Sequence, residues 1–199
     1  MTDILVEKTR LRQSLKAARK LFVQSRKNNR FEWMPSELLE LIAEARVIAT
    51  YSPTTFECDI NELLWHSLPP NATLCLPVTS STEERLIFRP WRPGDRLEPS
   101  GLGFFQPPPE TIPAKPDLIL TPLVGFDRAM SRLGQGSAHY DRAFIDYPDA
   151  IRVGLAWGCQ EVASLPLDPW DLPLHAILTE REWIAAETDK TESIFRYGH

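Results

Sequence analysis

Glu37-Leu-Leu-Glu-Leu-Ile-Ala-Glu-Ala45, followed without a break by Arg46-Val-Ile-Ala-Thr-Tyr51, is the stretch that decides the fold. Pro35 and Ser36 open the first part, whose apolar residues recur at helical spacing, and proline is well tolerated in the first turn of a helix. The second part is a short, β-branched apolar run, which predicts a buried strand. A helix that leads straight into a buried strand is one unit of an α/β alternation, and the alternation continues outward. Strands are predicted at Thr73 to Leu76, Arg85 to Arg89, Asp117 to Leu120, Ile151 to Trp157 and Ala176 to Thr179, with helices at Asp59 to Leu68 and from near Ser137. Upstream, Leu11, Leu15, Ala18 and Phe22 recur at spacings of three and four within Leu5 to Arg30, predicting an amphipathic helix with a basic outer face. These elements together imply a mostly parallel sheet covered by helices on both faces.

A chain of 199 residues, 43% hydrophobic and 25% charged, suits a single folded domain and argues against disorder or coiled coil. Lysine and arginine number 22 against 27 acidic residues, and 22 − 27 = −5 leaves no general attraction for nucleic acid or for a scaffold role on it. No run reaches the length of a membrane span and the first twenty residues are charged throughout, so a cytoplasmic protein is expected. Cys58, Cys75 and Cys159 are odd in number and widely spaced, which predicts buried thiols in a reducing compartment. Prolines crowd Pro90 to Lys115, including Pro107-Pro-Pro109, and mark a long ordered loop or flap; a loose polar tail is expected from about residue 188.

The densest chemistry lies in Thr121-Pro-Leu-Val-Gly-Phe-Asp127 and Arg132-Leu-Gly-Gln-Gly-Ser-Ala-His-Tyr-Asp-Arg142, after a predicted strand and before a predicted helix. Ligands collect at such carboxyl ends of strands in open α/β sheets. Gly134 and Gly136 allow a tight turn, Ser137 can cap the helix, and Arg132 and Arg142 suit a phosphate at the helix N-terminus. A plain glycine-bearing turn is the other reading of the same residues. No GK[ST] follows and the third glycine of GxGxxG is absent, so neither nucleotide fingerprint is present. Ser137, His139 and Asp141 sit two apart on one stretch and are not a hydrolase triad; His66, His139 and His175 have no metal-ligand spacing.

Over most of the chain, in order, the residues resemble the 5-formyltetrahydrofolate cyclo-ligases, also called 5,10-methenyltetrahydrofolate synthetases. Lys8-Thr-Arg-Leu-Arg12 is similar to the N-terminal KxxLR, Glu57-Cys-Asp59 to the segment after the first strand, and Leu76-Pro77 to the second strand end. Pro122-Leu-Val-Gly-Phe-Asp127 is similar to PgvaFD, Arg132 to Arg142 to RxGxGxGYYDR, and Gln160 to Glu180 to the closing Q…lP…hD…vTe. The resemblance implies a three-layer α/β/α sandwich and an ATP- and Mg2+-dependent conversion of 5-formyltetrahydrofolate to 5,10-methenyltetrahydrofolate, by a monomer or weak homo-oligomer.

By the same resemblance, Lys8 and Arg12 meet ATP phosphates. Arg132, Leu133, Gly134, Gln135, Gly136, Ser137, Ala138, His139 and Tyr140 wrap the nucleotide, and Gln135, His139, Tyr140 and Glu57 contact the folate. Asp141 and Asp171 hold magnesium, a hard cation that suits two carboxylates with phosphate oxygens and water. Plainer readings make Lys8 and Arg12 solvated helix charges, Asp141 and Asp171 turn carboxylates, and Glu57 a cap for the helix near Asp59. Five positions depart from the family pattern: Ala138 for a glycine, His139 for a tyrosine, Gln106 for a glutamate, Ile60 for a threonine and His175 for an aspartate. They leave a folate- or nucleotide-binding relative with weak or no cyclo-ligase activity as the alternative.

Overall fold

The computed structural model describes residues 2–79 and 85–186. Four helices and eleven strands follow in the order α1 (Thr2–Gln24), α2 (Ser36–Glu44), β1 (Val47–Ala49), α3 (Asn61–Ser67), β2 (Thr73–Val78), β3 (Ile87–Pro90), β4 (Glu98–Pro99), β5 (Phe105–Gln106), β6 (Leu118–Pro122), β7 (Gly125–Phe126), β8 (Arg132–Leu133), α4 (His139–Asp146), β9 (Ile151–Leu155), β10 (Ala176–Leu178) and β11 (Trp183–Ala185). Seven strands form one sheet in the order β11-β10-β9-β6-β1-β2-β3. The inner five are parallel, and the two edges, β3 on β2 and β11 on β10, are antiparallel. Chain order reverses at β1, which has β2 on one side and β6 on the other. The crevice beyond the carboxyl ends of β1 and β6 is therefore the topological switch point, where α/β sheets bind ligands.

Period-two burial builds the layers. Ile48, Leu74, Leu118, Leu120, Val153 and Leu155 join one cluster with Leu38, Leu41 and Ile42 of α2 and Leu64 of α3. Their neighbours Ala49, Cys75, Ile119 and Ile177 join the other, with Ala143 and Phe144 of α4. Both faces of the sheet are thus covered by helices, giving three layers as expected. Trp157, fully buried, fixes the end of α1 to this core: Phe22 and Phe31 lie 5.4 and 5.3 Å from its ring, and Nε1 donates to the Phe56 carbonyl at 3.1 Å. Nearer its start, α1 rests Leu15 on Val124 and Leu133. A Cβ on Gly125 would stand 2.5 Å from Leu15 Cδ1, so glycine there permits the close approach.

Several expectations are corrected. α1 stops at Gln24, short of Arg30: beyond Ser25, whose Oγ donates to the Phe22 carbonyl, Asn28 Oδ1 accepts from the Arg30 amide, and Asn29 Nδ2 ties the chain to the Glu57 carbonyl. The segment Pro90 to Lys115 contains a small hairpin, β4 on β5, turned by Gly101 and Gly103 at φ +79° and +88°. α4 begins at His139, near Ser137 as expected, but Ala138 stands at its N-cap and Ser137 does not cap it. The predicted tail lies outside the described residues. Among those residues, no helix is long and apolar enough to cross a membrane. All three thiols are free; Cys58 and Cys75 are buried and Cys159 is half-buried. Burial pushes the Cys58 and Cys75 thiols up to about 12, so both stay protonated.

His175 sits at the start of β10, away from the crevice, where its Nδ1 accepts the Arg152 amide at 2.9 Å. Burial, and then the Arg152 guanidinium, pushes its pKa down to about 4. Above the unfolded value of about 6.5 both states are neutral; below it only the unfolded chain takes up the proton, so stability falls as pH drops from about 6.5 to 4. Discounted for a partly exposed ring, the loss is on the order of 1–2 kcal/mol. His175→Asn keeps an acceptor for the Arg152 amide, and its melting temperature should fall less than wild type between pH 6.5 and pH 4.5. Parallel curves would clear His175 of the effect.

Candidate active site

The segment after β1 carries the first acid. Glu57 Oε2 accepts the Thr54 amide at 2.9 Å, while Oε1 accepts from Gln135 Nε2 at 3.3 Å and faces Arg19 Nη1 at 3.8 Å. It does not cap α3: Asp59 Oδ1 accepts the Asn61 amide instead. Alongside, the buried Tyr51 hydroxyl donates to the Cys58 carbonyl at 2.5 Å.

Residues four apart on α1 share a face, and here that face looks into the crevice. Lys8 Nζ donates to Asp168 Oδ2 at 2.6 Å and to Asp171 Oδ2 at 2.5 Å. Burial alone would pull the Lys8 pKa down, but the two carboxylates outweigh it and the net shift is upward. Arg12 Nε donates to the Gly134 carbonyl at 2.9 Å. Neither is a free, solvated charge. Asp171 Oδ2 also accepts the Asp168 amide at 2.9 Å, so the two aspartates form one compact turn.

The loop between β8 and α4 supplies the remainder. Arg132, its side chain only 4% exposed, pairs with Asp141 in the first turn of α4, and its guanidinium lies 5.3 Å from the centre of the Phe144 ring. Gly136 takes φ +111°. Ser137 Oγ shares a hydrogen bond with His139 Nδ1 at 3.0 Å. The Tyr140 hydroxyl is buried beside Thr121 without a hydrogen bond of good geometry, and burial raises its pKa.

Ala138 precedes α4 in the left-handed conformation, φ 53° and ψ 22°. For a residue with a Cβ this costs roughly 1–2 kcal/mol, which explains why glycine suits the position. Ala138→Gly removes the strain but returns part of the gain as chain entropy, so the expected net stabilisation is about 0.5–1 kcal/mol. A melting temperature higher by roughly 2–3 °C, with kcat/KM for ATP within tenfold of wild type, is the expected result. A destabilised variant would mean that the methyl group itself is needed.

Every residue that the resemblance assigns to the site lines one cavity of about 600 Å³: Lys8, Arg12, Glu57, the run from Arg132 to Tyr140, Asp141 and Asp171; Arg142, the other cation expected at the helix N-terminus, does not line it and donates to the Ser137 carbonyl at 2.9 Å. The sequence reading missed Asp168, Tyr51 and Trp170, together with Leu102, Gly103 and Phe104 from the β4–β5 hairpin, all of which share the lining. A signal existed only for Asp168, three residues before Asp171 in a proline-bounded turn. Of the five departures, Ala138 and His139 line the cavity and the other three do not. Ile60 is buried ahead of α3, and Gln106 Oε1 accepts the Thr79 amide at 3.1 Å, tying the hairpin to β2.

The wall sets Glu57, Asp141, Asp168 and Asp171 against Lys8, Arg12 and Arg132. Among the described residues no three metal-ligating side chains are arranged to hold an ion by themselves. Asp141 Oδ1 and Asp171 Oδ2 are engaged by Arg132 and Lys8, which leaves one oxygen of each carboxylate outside those pairs. Hard oxygen donors, too few for a closed cage, fit a magnesium ion that arrives with phosphate and water.

Residues 4–180 match the model of the 5-formyltetrahydrofolate cyclo-ligase family. The chain is 33% identical to the 5-formyltetrahydrofolate cyclo-ligase of Haemophilus influenzae over 142 residues, 68% of this chain and 76% of that one. It is 30% identical to that of Escherichia coli K12 over 145 residues, 69% and 80% of the two chains. Its fold is similar to the NMR structure of Aquifex aeolicus 5,10-methenyltetrahydrofolate synthetase, with a TM-score of 0.67 at 22% identity over 96% of this chain and 99% of that one.

Proposed function

Because the chain belongs to the 5-formyltetrahydrofolate cyclo-ligase family, we propose that it converts 5-formyltetrahydrofolate to 5,10-methenyltetrahydrofolate in an ATP- and Mg2+-dependent reaction, releasing ADP and phosphate. The observation that carries this reading is the convergence of α1, the Glu57 segment, the glycine loop and the Asp168–Asp171 turn on one cavity at the switch point.

The formyl oxygen is a poor leaving group. Transfer of the γ-phosphoryl to it makes a phosphate ester; N10 then attacks the formyl carbon and gives up its proton to solvent, and phosphate leaves with the oxygen as the N10–carbon bond closes the ring. The protein's part is to neutralise charge and align two substrates. Lys8, Arg12 and Arg132 bring positive charge to the phosphates, and the Gly134 to Gly136 backbone approaches closely enough to donate N–H groups to them. Glu57 accepts from the donor edge of the pterin, with Gln135 bridging it to the glycine loop. Leu102 and Phe104 on the hairpin cover the cavity against water. Asp141 and Asp171 would hold magnesium, which when bound spreads the negative charge of the phosphates. Ala138 is compatible with turnover, since the backbone at 138 already holds the conformation that glycine would take.

Mixing the protein with 5-formyltetrahydrofolate, ATP and Mg2+ and following the near-ultraviolet absorbance of the methenyl product tests the reading. One methenyl product per ADP, and none when any component is left out, is the expected outcome. ATP binding without product at any protein concentration would favour a nucleotide-binding relative instead.

A further inference from the structure

Arg19 lies seven residues beyond Arg12 on α1 and is 6% exposed, and Glu57, which it faces at 3.8 Å, is 7% exposed. Arg19 Nη1 also lies 3.4 Å from the Leu123 carbonyl, and Nε is buried with no partner. Such a buried ion pair is a poor device for stability, because apolar residues of similar volume hold a fold as well or better. Its location supplies another account. The other three acids of the cavity are held by Lys8 and Arg132, whereas Glu57 is held by a backbone amide, a neutral side chain and Arg19. The remaining charged or titratable groups around it are Lys16 on α1, Tyr51 and Cys58 on its own segment, and Tyr140 on α4. Arg19 is therefore the only cation paired with Glu57 among the described residues, yet it does not line the cavity.

We propose that Arg19 is a positioning residue for folate recognition: without touching either substrate, it fixes Glu57 Oε1 at the cavity wall, so that folate binding depends on it and nucleotide binding does not. This rests on the assignment of Glu57 to the folate. A guanidinium suits the task because it always carries its charge, and its Nη1 lies between Glu57 Oε1 at 3.8 Å and the Leu123 carbonyl at 3.4 Å. Gln135 donates to the same Oε1, so a displaced Glu57 also loses its link to the glycine loop.

Steady-state kinetics on Arg19→Met, Glu57→Gln and the double variant test this. Arg19→Met should raise the KM for 5-formyltetrahydrofolate about tenfold and leave the KM for ATP within about twofold, the pattern of lost ground-state binding to one substrate. Glu57→Gln should do the same, and the double variant should be no worse than Glu57→Gln alone, because residues acting through one contact are not additive. An Arg19→Met effect of equal size in the Glu57→Gln background, or equal weakening of both substrates, would overturn the proposal. Glu57→Gln weakening folate while Arg19→Met does not would overturn it alone; an unchanged folate KM in Glu57→Gln would remove the assignment beneath it as well. Should Arg19→Met fail to fold, Arg19→Lys takes its place in the same cycle, with a folate-specific KM rise of about threefold expected only where Glu57 is intact.

Discussion

Asp171→Asn should lower kcat by about 10²–10³ with little change in melting temperature, whereas Asp141→Asn should lower both. The kinetic effect is common because each replacement removes a negative oxygen donor beside the transferring phosphate, at about 1.4 kcal/mol for each tenfold. The stability effects differ because the two cations differ. Lys8 without Asp171 still has Asp168 at 2.6 Å, and the asparagine oxygen can go on accepting the Asp168 amide. Arg132 has only Asp141 as an acidic partner among the described residues, and its side chain is 4% exposed. Removing that partner leaves a buried guanidinium uncompensated, at a cost of about 3 kcal/mol. In a chain of this size that is a fall of roughly 6–12 °C. Thermal melts beside single-turnover kinetics separate the outcomes. A near-normal kcat in Asp171→Asn would take that residue out of the site, and an unchanged melt in Asp141→Asn would mean that Arg132 finds another acceptor.

From the sequence alone, both replacements look harmless to the fold, and the reason is general. Val47-Ile-Ala49, Leu118 to Leu120 and Ile151 to Leu155 could be read because strands buried on both faces are apolar runs, and their alternation with helices fixes the class. The Gly134–Gly136 turn was legible as a place for a ligand because it joins a strand to a helix. Ion pairs have no such local signature. Lys8 meets its carboxylates across 160 and 163 residues, and Gln135 meets Glu57 across 78. Nothing near Lys8 announces that its charge is already answered, so a solvated face remained an open reading until α1 was docked. Five short strands were missed for a related reason: β4, β5, β7, β8 and β11 are too short to show a period and, unlike the similarly short β1 and β10, do not sit in longer β-branched apolar runs. Two of them, β4 and β5, carry the hairpin that lends Leu102 and Phe104 to the cavity, so the missing part of the site followed from the missing part of the fold.

Gly136→Ala should cut kcat/KM for ATP by about a hundredfold, the scale of a small misplacement of a catalytic loop. Space is not the obstacle: an added Cβ would meet the Arg12 guanidinium at 3.6 Å, an ordinary contact. The backbone is the obstacle, since φ +111° is a conformation that alanine holds only at a cost of about 1–3 kcal/mol. Relaxing that strain means moving the loop, and its neighbours cannot follow. Gly134 must keep its carbonyl on Arg12 and Gln135 its amide on Glu57, so a shift at 136 breaks a bond toward each substrate region. Gly134→Ala is the control for mere bulk: its φ is ordinary and its Cβ would meet the Arg132 Nη1 at 2.8 Å, the far end of a side chain. Bulk alone predicts the larger loss at Gly134, and backbone strain predicts it at Gly136. Ala138→Gly moves the other way, two residues on, because there the chain already carries the strain that Gly136→Ala would introduce. A Gly136→Ala enzyme with normal kcat/KM and an unchanged melt would show that the loop takes another shape at no cost, and that its left-handed turn is not what presents the N–H groups to the nucleotide.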